Sequence, residues 1–129
     1  LRVGYALGSE ELIGIMRKCS ASWNLNVCAQ KAAVAGLADQ EYYQEQKAKI
    51  VEGREYLEKE MAALGCRVYP SQSNFIYFDT GKDPAWIQEQ LMEKGIRIGA
   101  FEMSRVSVGT MEECKLYIKA LKEILEAAE

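Results

Sequence analysis

Residues 96–121 read IRIGAFEMSRVSVGTMEECKLYIKAL, and the punctuation of this run decides the fold. Residues 96–98 and 105–108 alternate branched apolar side chains with others, the period-2 pattern of strands, and a loop around Gly99 joins them. Thr110-Met111-Glu112-Glu113 then has the T-x-x-E spacing of a capping box, which satisfies free backbone N–H groups where a helix starts. Cys114, Tyr117, Ile118, Leu121, Ile124 and Leu125 follow at helical spacing and give that helix one apolar face.

Working back from there, Lys94-Gly95 closes a helix that Asp83-Pro84 opens, with proline at the first helical position. Residues 74–78, NFIYF, read as a strand apolar on both faces, and residues 66–69 as a short strand, with Pro70-Ser71-Gln72-Ser73 as the turn between them. A long helix is predicted over residues 41–64, because Tyr43, Ile50, Leu57 and Leu64 recur every seven residues and Gly65 follows. Asn26 is placed to cap an alanine-rich helix over residues 28–38. Ser9 caps an earlier helix whose Leu12, Ile15, Met16 and Cys19 are expected to pack into a core. Residues 1–7, LRVGYAL, alternate as a further strand would. The order strand, helices, strand, strand, helix, strand, strand, helix predicts an α+β fold: a small sheet, built from residues 66–69, 74–78, 96–98 and 105–108, flanked by helices.

A chain of 129 residues, 49% hydrophobic and 27% charged, has the balance of one globular domain and can bury one modest core. Its formal charge of −3, with both signs interspersed, leaves no basic stripe to follow a phosphate backbone, so no nucleic-acid partner is expected. No apolar run approaches the roughly 18 residues that span a bilayer, and no basic stretch followed by an apolar core opens the chain. A cytoplasmic protein without a membrane partner is expected. Cys19, Cys28, Cys66 and Cys114 never form C-x-x-C, which suggests neither a zinc site nor a redox pair and leaves reduced thiols as the expectation. The chain has no histidine, so histidine-based catalysis or metal ligation within it is excluded, and no metal site is expected. It opens without methionine inside an apolar segment, and reads as part of something longer.

Two arginines stand in strand-like segments otherwise poor in charge: Arg2 in LRVGY and Arg105 in SRVSVGT. A guanidinium on a rigid strand offers a planar fork of donors to a phosphate or carboxylate and stays charged at any realistic pH. Both are anion-site candidates, set against the commoner role of surface decoration or ion pairing. Asn74 can offer an amide to a ligand or satisfy nearby backbone, and Trp23, Asn24 and Asn26 form a polar and aromatic phrase that can line a pocket or cap a helix.

Three phrases, taken together, resemble fold-type I aminotransferases that use pyridoxal phosphate, and among them the histidinol-phosphate aminotransferase family. LRVGYAL followed by SEELI is similar to the stretch G-L-A-G-L-R-x-G-Y that follows the cofactor-holding lysine there. SWNLNVCAQKAAVAGL resembles P-W-N-V-N with its alanine-rich helix, and residues 96–121 resemble the closing L-R-V-S-V-G-T-x-E-E and final helix. With S-x-S-N-F they follow the family's order and cover nearly the whole chain.

The resemblance implies that residues 1–129 are a single C-terminal small domain, of which residues 1–40 border a large domain outside this sequence. It implies that Arg2 contacts the phosphate of pyridoxal 5'-phosphate, that Arg105 pairs with the substrate α-carboxylate, and that Asn74 and Asn24 lie near the substrate. The Schiff-base lysine would lie a short way upstream of Leu1, so no catalytic residue is assigned within this chain. The segment alone would be inactive and would hold no cofactor. The parent would be a homodimer that moves an amino group between an amino acid, histidinol phosphate or an aromatic one among them, and a 2-oxo acid. Decarboxylation of the threonine-phosphate decarboxylase type, or a non-catalytic amino-acid-binding module, are the alternatives. One departure bears on substrate. The family often has G-I-x-V-R, whose arginine helps hold a substrate phosphate, whereas here the run is Gly95-Ile96-Arg97-Ile98-Gly99. Arg97 stands two positions early, about 7 Å along a strand.

Overall fold

The computed structural model describes residues 1–128. They form two compact units, residues 1–44 and 45–128. In the first, helix α1 (Glu10–Cys19) starts at Ser9, whose hydroxyl accepts the Leu12 N–H at 3.2 Å. Helix α2 (Val27–Ala38) starts at Asn26, whose Oδ1 accepts the Ala29 N–H at 2.7 Å. Helix α3 (Gln40–Ala63) begins in this unit, and a Cβ on Gly36 would lie 2.7 Å from the Tyr43 ring, so glycine permits that approach.

The second unit holds the rest of α3, then β1 (Arg67–Val68), β2 (Phe75–Asp79), α4 (Pro84–Glu93), β3 (Gly99–Ala100), β4 (Ser104–Ser107) and α5 (Met111–Ala127). The strands form one antiparallel sheet in the order β1-β2-β4-β3. Side chains alternate across it. Ile76, Phe78 and Val106 point into a core shared with Leu57 and Met61 of α3, Ile87 and Leu91 of α4, and Tyr117, Ile118, Leu121 and Ile124 of α5. The Phe78 and Tyr117 rings meet edge-on at 6.3 Å, and the buried Tyr117 hydroxyl reaches Met61 Sδ at 3.6 Å. The helices thus cover one face of the sheet, and Tyr77 and Arg105, paired in register, lie on the other.

Most predicted elements stand where the sequence places them, and the predicted caps form. Both halves of the capping box are present: the Glu113 N–H donates to the Thr110 hydroxyl at 3.2 Å, and the Thr110 N–H to the Glu113 carboxylate at 2.7 Å. Helices α3 and α4 close alike. Gly65 and Gly95 take left-handed φ values of 82° and 78°, and the next N–H reaches back to Met61 O at 3.1 Å or Leu91 O at 2.9 Å.

Three expectations are corrected. Residues 1–7 form no strand: they are exposed, Arg2 has a φ of 62°, and no strand among the described residues pairs with them. The third sheet strand is Gly99–Ala100 rather than residues 96–98. The Ile96 N–H is taken by the close of α4, and the Ile98 carbonyl accepts from Gln88 Nε2 at 2.7 Å, so pairing with β4 begins only at Gly99. Leu12, Ile15 and Met16 are exposed, because α1 has the predicted stripe without a described surface on it.

Candidate functional site

The sheet face away from the helices carries Phe75 and Tyr77 of β2, Arg105 and Ser107 of β4, and Gly99 of β3, with Phe101 just beyond. Arg105 is half-buried in the centre of this face. Its guanidinium carbon lies over the Phe75 ring at 5.3 Å and over the Phe101 ring at 5.2 Å, while no carboxylate among the described residues pairs with it. Such a group, without an ion-pair partner, can receive an anion through its planar fork of donors.

Asn74 comes to the same sheet. Its carbonyl accepts the Val108 N–H at 2.8 Å, adding a rung to the β2–β4 ladder, and its exposed side chain makes no hydrogen bond among the described residues. The preceding loop is ordered from within: Ser71 Oγ donates to the Phe75 carbonyl at 2.6 Å and accepts the Ser73 N–H at 3.0 Å. It is also tied from behind by Arg54 of α3, a buried arginine whose Nη1 donates to the Ser73 carbonyl at 3.3 Å. Sequence reasoning missed Arg54. The signal was available, because Ile50, Arg54, Leu57 and Met61 fall at helical spacing, which puts this arginine on the apolar face of α3.

Arg97 has a different setting. Residues 95–97 diverge from β4, leaving a cavity of about 370 Å³ with Leu57, Cys114 and Tyr117 in its wall, and Arg97 stands exposed at its rim outside the ladder. Burial pushes the Cys114 thiol up, as it does Cys66, which with the Asp79 charge nearby reaches about 11. Both stay protonated near neutrality, which makes neither a nucleophile. Among the described residues, no His, Cys, Asp and Glu cluster fit for a metal occurs.

In the first unit, Arg2 and Asn24 are exposed, and Arg2 has no ion-pair partner among the described residues. Asn26 Nδ2 donates to the Leu1 carbonyl at 3.3 Å, so the residue that caps α2 also fastens the backbone next to Arg2. A guanidinium without an ion-pair partner can take a phosphate as well as a carboxylate.

Residues 1–121 match the family model "Aminotransferase class I and II". The chain belongs to that family. A histidinol-phosphate aminotransferase of Moorella thermoacetica is 34% identical over 131 residues, covering 97% of this chain and 34% of that protein. The crystal structure of the histidinol-phosphate aminotransferase from Sinorhizobium meliloti, in complex with pyridoxal-5'-phosphate, superposes with a TM-score of 0.72 at 30% identity, covering 89% of this chain and 34% of that one. A decarboxylase from Sulfurospirillum multivorans, with a TM-score of 0.72 and 20% identity over 92% of this chain and 38% of its own, shares the fold. This aminotransferase chain thus spans about a third of the length of the curated relatives it matches. The α+β architecture and the family that the sequence resembles both hold.

Proposed function

We propose that residues 1–129 are the C-terminal small domain of a pyridoxal-phosphate-dependent aminotransferase, with residues 1–40 bordering the large domain. The parent moves an amino group between an amino acid, histidinol phosphate and aromatic amino acids being the first donors to test, and a 2-oxo acid. The observation that carries this reading is Arg105, an unpaired guanidinium at the centre of an open sheet face, inside the R-V-S-V-G-T phrase. Its planar fork suits a carboxylate, the group that an amino acid and a 2-oxo acid share. Asn74, just before the neighbouring strand β2, offers an amide to the same ligand, and Asn24 is assigned a supporting contact. Arg2 would hold the cofactor phosphate. The cofactor, when bound, supplies the electron sink that eases bond breaking at the amino-bearing carbon. The residues of this chain do the holding: Arg105 would fix the carboxylate, and Arg2 would hold the phosphate. We read the parent as a cytoplasmic homodimer acting on small molecules, a reading supported by the family resemblance.

The test is to express the whole reading frame that carries this chain and incubate it with pyridoxal phosphate, a donor panel and a 2-oxo acid. Formation of the new amino acid, with the visible absorbance of bound cofactor, is expected. Release of carbon dioxide in place of amino transfer, or no cofactor uptake, would overturn the proposal.

A further inference from the structure

We infer that Phe75 and Phe101 act as an aromatic clamp that holds the Arg105 guanidinium ready for a carboxylate, and that Gly99 is present to seat the Phe101 ring. The inference rests on the carboxylate role proposed above. The two rings come from opposite sides of β4. Phe75 stands on β2 and is steadied by edge-on contact with Tyr77 at 5.7 Å, while Phe101 lies at the turn from β3, where its N–H donates to the Met103 carbonyl at 3.2 Å. Both sit near 5 Å from the guanidinium carbon, within the range in which a cation is attracted to a ring face.

Gly99 supplies the independent observation. Glycine weakens a strand, and its usual justification, a left-handed φ, does not apply: Gly65, Gly81 and Gly95 have positive φ and Gly99 does not. What Gly99 provides is space. It pairs with Arg105 across the ladder, and a Cβ there would come within 2.8 Å of Phe101 Cε2 and 3.6 Å of Arg105 Cβ. Phe101 is 63% exposed, so the ring covers the arginine rather than filling the core.

A long arginine free in water loses side-chain freedom when it takes a ligand, whereas one already held between rings has lost it beforehand. Neither ring takes up a guanidinium N–H in a hydrogen bond to oxygen, so the planar fork is left for the carboxylate. The clamp therefore acts on affinity more than on the chemical step.

The experiment uses the full-length enzyme. Phe101→Ala is expected to raise KM for carboxylate substrates by between about 2-fold and 25-fold, with a much smaller change in kcat, the range that one ring–cation contact supplies. Phe101→Tyr should restore KM, and Phe101→Leu, apolar without a π face, should not. Gly99→Ala should raise KM by pushing the ring aside, and should add little to Phe101→Ala, because both act on one contact. A normal KM in Phe101→Leu, or fully additive effects of Gly99→Ala and Phe101→Ala, would overturn the clamp. If the wild-type protein transfers no amino group, the functional reading fails. The clamp is then judged by NMR alone: the Arg105 Nε–H resonance should be ring-shifted in the wild type and move in Phe101→Ala, and an unmoved resonance overturns it.

Discussion

Replacing Arg105 tests the assignment on which the functional reading depends. Arg105 is half-buried, has no ion-pair partner among the described residues and faces away from the core, so its removal opens no core cavity. A carboxylate bound there and deprived of its cation should lose about 2–4 kcal/mol, as when one member of a desolvated charge pair is truncated. That corresponds to a fall in kcat/KM of about 30- to 900-fold, seen with donors of every side chain, since the carboxylate is common to them. Arg105→Lys keeps the charge but loses the planar fork, and should cost roughly ten-fold, near the worth of one charge-assisted hydrogen bond. Arg97→Ala, outside the ladder and exposed, should stay within about two-fold, as surface substitutions usually do. The assay is steady-state amino transfer in the full-length enzyme with several donors, with thermal melts to check that each variant is folded. A general loss in Arg97→Ala beside a mild effect of Arg105→Ala would refute the reasoning.

Three further outcomes are expected. Burial and the Asp79 charge raise the Cys66 thiol from 9.0 to about 11, so below pH 9 folded and unfolded chains are protonated alike there. As pH rises from 9 towards 11 the unfolded state alone loses the proton, and stability should fall by about 2–3 kcal/mol from this group, a drop that urea titrations of Cys66→Ala should lack if the assignment is right. Gly95→Ala forces a side chain to a φ of 78° with nothing within 4 Å of the new Cβ, so the cost is backbone strain alone, about 1–2 kcal/mol less a gain from a stiffer unfolded chain, read as a lower denaturant midpoint; an unchanged midpoint would contradict it. Incubating this chain with pyridoxal phosphate, reducing with borohydride and mapping by mass spectrometry should give scattered, substoichiometric lysine labels, and a single stoichiometric lysine would refute the assignment of the Schiff-base lysine to an upstream segment.

How far the fold was legible follows from the range of the signal. Caps and closing glycines act within a few residues, and Ser9, Asn26, Thr110 with Glu113, Gly65 and Gly95 do what their neighbours in sequence require. The apolar run of Phe75 to Phe78, set off by the turn before it, carried strand β2 because the whole signal lies within one short segment. The edge strand β3 was misplaced for a reason of competition. Ile96, Arg97 and Ile98 have strand-like side chains, but the Ile96 N–H and the Ile98 carbonyl are engaged by α4, and a ladder cannot use groups already bonded. Residues 1–7 and the face of α1 mark another limit: period tells that a face is suited to a partner, not which element supplies it.

The same distinction governs the candidate site. Arg105 was visible because a lone charge in an apolar strand is anomalous within its own segment, and Asn74 because it follows a turn. Phe75 and Phe101, by contrast, look ordinary locally: one is a strand aromatic, the other a loop residue 26 positions later. Their contact with Arg105 exists only through the register that sets Gly99 opposite Arg105 on one side and Tyr77 opposite it on the other. Arg54 is hidden in the same way, since its partner is the Ser73 carbonyl across a turn. The charge that meets a ligand is thus written in one segment, while the groups that aim it are distributed over β2, β3 and α3. A substitution at Gly99 or Arg54, neither of them assigned a contact with substrate, should therefore act on ligand affinity through Arg105 or through the Asn74 loop.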